Sequence, residues 1–179
     1  SDVMNGDADI KTVSAAVEKL GYDLSEDDIK NVYAAFVKTA AKKDITERDL
    51  DAIVASEALQ VPPTYKIESF VANIGNVITP MAHIKLIKNG EELSGYNVGD
   101  GPIDAAFRAI EQIVGHHFEL DDFQIQAVTR GREALGSAIV KLRSNGKLYS
   151  GRGLSTDIVD ASINAYINAL NKICFEEEM

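Results

Sequence analysis

Tryptophan is absent from this sequence, cysteine occurs once and histidine three times. A lone Cys174 rules out an intrachain disulfide framework and suits a reducing compartment. His83, His116 and His117 lack the spacing of a structural zinc site, and Cys174 is far from them in sequence. His116-His117 follow the helix stop Gly115 and read as loop or C-cap residues, while His83 reads as a packed or solvated strand residue. Basic residues are also few. Lys and Arg total 18 against 28 Asp and Glu, a net charge of −10 with a pI near 4.7. That balance argues against nucleic acid or an anionic membrane surface as the main partner. No apolar run approaches the length of a membrane span and no signal-peptide pattern opens the chain. A cytoplasmic location without membrane contact is the resulting expectation. There is no Ser–His–Asp order, Walker loop or dinucleotide fingerprint, so a catalytic reading has little support. Residues 1–3, ahead of Met4, read as a cloning remnant and are set aside.

What is present is an ordinary globular composition, 45% apolar over 179 residues, enough for one or two domains with a sizeable core. Residues 10–60 carry helical spacing. Ile10, Val13, Val17 and Leu20 recur on one face and Gly21 follows as a stop. Ser25 is a good N-cap with Asp28 three residues on, ahead of Ile29, Val32, Tyr33, Phe36 and Val37. Thr46 and Asp49 repeat the pattern before Leu50, Ile53 and Val54. Residues 1–60 hold 13 acids and 7 bases, either a docking surface or the solvated face of amphipathic helices. Three narrow stripes make a thin core that needs support from elsewhere. Pro62-Pro63 ends the helical pattern, and a domain boundary is expected there.

From Thr64 the period becomes two. Tyr65, Ile67, Ser69, Val71 and Asn73 alternate with Lys66, Glu68, Phe70 and Ala72, and a second strand runs through Ala82, Ile84 and Leu86. Asn89-Gly90 is a hairpin signal, residues 91–98 a third strand, and Pro102 opens a helix with Ile103, Phe107, Ile110 and Val114 on one face. The order then recurs: strands at 118–129, 136–143 and 147–153, with Asn145-Gly146 as the hairpin, and a helix at 156–171. The units align without gaps at an offset of 56 residues, with nine identities in 27 positions from Ile84 to Ile110. The chain therefore reads as α+β: a short helical subdomain followed by two βββα units related by a pseudo-twofold. The expected domains are residues 1–60 and 61–179, the repeats covering 64–115 and 116–175. Each unit has too little core alone and must pack on the other or on a second copy. The stripe Val159, Ile163, Tyr166, Leu170, Ile173 and the small residues Ala105, Ala106, Ala109, Ala161 and Ala165 suit close packing.

The stretch of greatest interest is Gly99-Asp100-Gly101-Pro102. It brings bare backbone N–H groups to a helix N-terminus, a place that suits a carboxylate or phosphate. Its twin is Ser155-Thr156-Asp157, where Ser155 or Thr156 is expected as N-cap and Asp157 complements the dipole. Elsewhere, Arg130, Arg132 and Arg143 read either as a basic spot for a carboxylate or as scattered surface residues. Cys174 reads as a buried small hydrophobe, and Glu176-Glu177-Glu178 as a solvated tail.

Gly99-Asp100-Gly101-Pro102-Ile103-Asp104-Ala105-Ala106 and Gly151-Arg152-Gly153-Leu154-Ser155-Thr156-Asp157-Ile158-Val159-Asp160-Ala161-Ser162 resemble the two signature runs of the C-terminal regulatory domain of 2-isopropylmalate synthase. Leu20-Gly21-Tyr22-Asp23-Leu24-Ser25 resembles its helical linker subdomain, and the likeness spans roughly residues 16–173. The regulatory domain of citramalate synthase, an isoleucine binder, is the nearest alternative. The resemblance implies a homodimeric allosteric domain that binds leucine, the end product of the pathway, and inhibits a distant metal-dependent catalytic barrel. That barrel condenses acetyl-CoA with 2-oxoisovalerate, and it is missing from this chain, as is its His-x-His metal motif. So no catalysis and no cofactor is expected of the chain itself, with a divalent metal in the missing barrel. Carried over by motif, the leucine pocket would comprise Gly99, Gly101, Pro102 and Ile103, with Ala127, Ala134, Gly136 and Ile158 from the second unit. Asp100 or a turn carbonyl would accept from the ligand ammonium. A ligand-free dimerisation module is the rival reading.

Overall fold

The computed structural model of the chain describes residues 3–20, 22, 24–58, 61–73, 79–127 and 135–179. Three helices come first, each opened by a side-chain cap. Asp9 accepts from the Thr12 N–H at 2.8 Å and starts α1 (Ile10–Lys19). Ser25 accepts from Asp28 N–H and starts α2 (Glu26–Ala40). Thr46 and Asp49 form a reciprocal capping box at the head of α3 (Glu47–Glu57). Their apolar stripes meet in one core of Val13, Val17, Val32, Phe36, Ile45, Leu50, Ile53 and Val54. Asp49 is fully buried there, and Lys43 lies 3.0 Å from its carboxylate.

The second core is built by the repeat. Strands β1 (Lys66–Ala72), β2 (Met81–Lys88) and β3 (Glu91–Val98) form an antiparallel sheet in chain order, followed by α4 (Pro102–Val114). Strands β4 (Glu119–Ala127), β5 (Gly136–Ser144) and β6 (Lys147–Ser155) repeat it, followed by α5 (Ile158–Glu177). Both hairpins turn on an Asn-Gly pair with positive φ at both residues, 53° and 77° at Asn89-Gly90, 50° and 76° at Asn145-Gly146. This turn follows the right-handed twist of the strands. The units bury their faces on each other: Phe107 of α4 lies 4.6 Å from Tyr166 of α5 and 5.7 Å from Phe123 of β4, ring centre to ring centre. Asn171 of α5 ties them further, accepting from Thr64 and Tyr65 N–H and donating to the Tyr65 carbonyl. The helical subdomain does lean on this body: Leu154 of β6 packs into its core, and Lys42 donates to Thr156 at 3.2 Å.

Several details differ from the sequence reading. Strict alternation fails in β1, because a bulge between Ile67 and Ser69 returns both Ile67 and Phe70 to the core face, where the strict pattern sets them apart. The same bulge sits between Leu120 and Asp122 in β4. The offset of 56 also breaks there. Ile67 pairs with Leu86 and Leu120 with Leu142, so the first strands are 53 residues apart while the second strands are 56 apart. Helix α5 starts at Ile158, after Ser155 has completed a ladder pair with Gly136, so the N-cap is Asp157 and not Ser155 or Thr156. It also runs on to Glu177. Glu176 pairs with Lys147, and Glu177 accepts from Ser144 and Asn145, so these two acids pin the helix end to the hairpin. Arg143 is engaged by Asp121 at 3.0 Å. Gly21, Arg130 and Arg132 lie outside the described residues.

Candidate functional site

The pseudo-twofold brings Gly101 and Asp157 to the same position, the N-cap of α4 and of α5. Their chemistry differs. Asp157 accepts from Val159 N–H at 2.8 Å, and Ser155 Oγ accepts from Asp157 N–H at 3.1 Å, so the start of α5 is satisfied from within. Gly101 has no side chain to offer, and no side chain caps α4. Pro102 removes one donor from that first turn. The Gly99 N–H goes to the Pro80 carbonyl, and the Asp100 N–H to Asp104 Oδ2 at 2.8 Å. Among the described residues, the N–H groups of Gly101, Ile103 and Asp104 have no partner in the chain. These donors, at the positive end of a 13-residue helix, are what a carboxylate would need.

The glycines of the turn play different parts. A Cβ on Gly99 would sit 2.5 Å from both Ala105 N and Asp104 Oδ2, so only glycine fits under the helix start. A Cβ on Gly101 would meet nothing within 4 Å. The space above Gly101 is open, and its backbone is extended (φ −172°), so the fold does not demand glycine there. Asp100 is exposed, and its backbone is held by Asp104, which also pairs with Arg108 at 3.1 Å. Asp104 is the residue whose role at this turn went unread in the sequence. Its signal was its identity with Asp160 in the repeat.

The second group gathers at the matching end of the other sheet. Ala127 pairs with Gly136 across β4 and β5, Gly136 pairs with Ser155, and Ile158 begins α5 just beyond. Ala127 and Ile158 are exposed, and a Cβ on Gly136 would find its nearest atom, Ser155 O, at 3.5 Å. Ala134 lies outside the described residues. The eight expected residues that are described thus fall into two clusters at the two helix starts, and no hydrogen bond among the described residues joins one cluster to the other. Beside the second helix start, a cleft of about 170 Å³ separates α2 from α5, with Lys38, Lys42, Glu57, Thr156 and Asp160 on its walls. Burial pushes the Glu57 carboxyl up, and Lys38 opposes the shift.

The histidines make local contacts. His117 meets Glu111 at 2.6 Å, His116 packs on Phe118, and His83 meets Ser94 at 2.9 Å. Among the described residues no three His, Cys, Asp or Glu side chains gather as a metal site, and no helix is long and apolar enough to cross a membrane.

Comparison with known proteins adds the remaining finding. A family model described as the LeuA allosteric (dimerisation) domain matches residues 44–174. The 2-isopropylmalate synthase of Carboxydothermus hydrogenoformans is 42% identical over 160 residues, covering 88% of this chain and 31% of that protein. The 2-isopropylmalate synthase of Ruminiclostridium cellulolyticum is 40% identical over 157 residues, covering 87% and 31%. That of Prochlorococcus marinus (strain MIT 9211) is 37% identical over 168 residues, covering 93% and 31%. The chain spans about a third of the length of these relatives.

Proposed function

The chain belongs to the LeuA allosteric (dimerisation) domain family, and from that premise we propose that it is the leucine-sensing, homodimeric regulatory part of a cytoplasmic 2-isopropylmalate synthase. The observation that carries the proposal is the contrast between the two helix starts. The α5 start is capped by Asp157, whereas the α4 start is left uncapped at Gly101, with backbone donors unspent and open space above. A leucine carboxylate placed there would take the Gly101 and Ile103 N–H groups. Ile103 and Pro102 from the first cluster, and Ala127, Gly136 and Ile158 from the second, would supply the small apolar surface its side chain requires once the dimer brings the two helix starts together. Asp100, which is exposed, or a turn carbonyl would accept from the ammonium.

In this reading the domain performs no chemistry. It converts leucine concentration into a change in the geometry of the dimer, and the helices α1 to α3 pass that change to the catalytic barrel of the parent enzyme. The barrel would hold the divalent metal and condense acetyl-CoA with 2-oxoisovalerate. Residues 1–60 would serve as linker subdomain and 61–179 as sensor. A thermal-shift series with millimolar leucine, isoleucine and valine tests the proposal. Leucine should raise the melting temperature most. Equal and negligible shifts for all three would leave a ligand-free dimerisation module, and a shift with isoleucine alone would point to a citramalate synthase.

A further inference from the structure

Strand β4 is an edge strand: it pairs with β5 on one side, and among the described residues nothing pairs with its other side. Seven of its nine residues are exposed, Leu120 and Ile125 among them at 45% and 40%. An open edge of this length is a template for another strand, and proteins usually blunt it with charge, proline or a bulge. Here those devices occupy only the first half. Glu119, Asp121, Asp122 and the bulge all precede Phe123. The second half, Phe123-Gln124-Ile125-Gln126-Ala127, carries no charge, no proline and no bulge. Leu120, Phe123, Ile125 and Ala127 pair with Leu142, Val140, Ala138 and Gly136, so they continue the core face of the sheet past the cover of the helices. The twin strand β1 differs. Its core-facing Ile67, Phe70 and Ala72 are packed on the core, and Lys66 and Glu68 guard it.

We propose that the neutral half of β4 is the seam on which a second copy of this chain docks, strand against strand, giving one six-stranded sheet across the dimer. This rests on the dimeric reading above and names the surface that serves it. The occupant follows from charge and symmetry. Two chains of net charge −10 can approach along a stretch that carries none. An antiparallel strand paired with its own copy about a twofold axis is self-complementary and closes, so it stops at two. Centred on Ile125, the pairing sets Phe123 opposite Ala127 of the partner subunit and Gln124 opposite Gln126 of the partner subunit. The acids at 119–122 then fall at opposite ends, whereas a register centred near Asp122 would set acid against acid. Ala127, at the edge of the candidate effector site, lies in the seam, so a ligand held there would touch the interface itself.

Sedimentation equilibrium on the 179-residue chain tests this with three variants. The wild type should be a dimer, and Val71→Lys, on the open face of the other sheet, should remain one. Ile125→Lys should raise the dimer dissociation constant about 100-fold or more, because two like charges would face each other across the axis. Ile125→Cys should cross-link to a covalent dimer on mild oxidation, since directly opposed strand residues lie within disulfide reach, and Cys174 is buried. Ile125→Cys decides the matter if Ile125→Lys fails to fold. A monomeric wild type would overturn the dimeric reading, and the seam with it. A wild-type dimer that is unaffected by Ile125→Lys and does not cross-link through Ile125→Cys would overturn the seam alone.

Discussion

Gly95 of β3 lies directly beneath the carbonyl of Ala109 in α4, so close that a Cβ on Gly95 would fall inside 3.0 Å of that oxygen. Gly151 and Ala165 repeat the apposition 56 residues later. Each helix is thereby seated on its own sheet backbone to backbone. Gly95→Ala and Gly151→Ala should therefore each cost about 1–3 kcal/mol or more by overpacking, read as a lower urea midpoint with an unchanged slope. Gly146→Ala is a poor control because its φ is positive. Gly136→Ala, where the added atom meets only ordinary contacts, should cost much less. Equal effects at Gly151 and Gly136 would contradict the close seating of the helices.

Asn171 should matter out of proportion to its size. It is buried, and it serves two backbone N–H groups and one carbonyl at the entry to β1, more than a hundred residues away in sequence. Asn171→Leu keeps the branched outline of the side chain but leaves the Tyr65 backbone groups buried and unpaired. A loss of about 2–3 kcal/mol is expected from unsatisfied buried polar groups, measured by chemical denaturation. A neutral result would show that water replaces the side chain.

Cys174 is free, 3% exposed, and its thiol is pushed up from the ordinary value chiefly by burial. The reactive species is the thiolate, so raising the pH toward 8 should produce little labelling in the native chain. Reaction with a maleimide should become fast only in denaturant. Labelling of the native protein at the rate of an unstructured cysteine would mean that the last turns of α5 open locally.

The parts of the fold written locally were legible in the sequence. Ser25, Thr46, Pro102 and the two Asn-Gly turns each act through neighbours within four residues, and each does what its residue type dictates. The bulges were not legible, because a bulge exists only relative to a partner strand. The start of α5 was not legible for a similar reason. Ser155, Thr156 and Asp157 are all good caps, and what selects Asp157 is the pairing of Ser155 with Gly136 across the sheet. At the candidate site the turn itself could be read. The part of Asp104 could not, since an acid three residues into a helix usually serves the dipole, whereas here its carboxylate turns back to the Asp100 N–H.

The measurement that bears most directly on the regulatory reading is isothermal calorimetry of leucine into the wild-type chain and into Gly101→Ala. Leucine sensing at the uncapped turn predicts a saturable heat for the wild type. It also predicts a weakened one for Gly101→Ala with its melting temperature little changed, because a methyl group at Gly101 meets no protein atom and projects into the space assigned to the ligand. A flat trace from wild type would contradict leucine sensing. Identical isotherms from the two proteins would remove the uncapped start of α4 from the site.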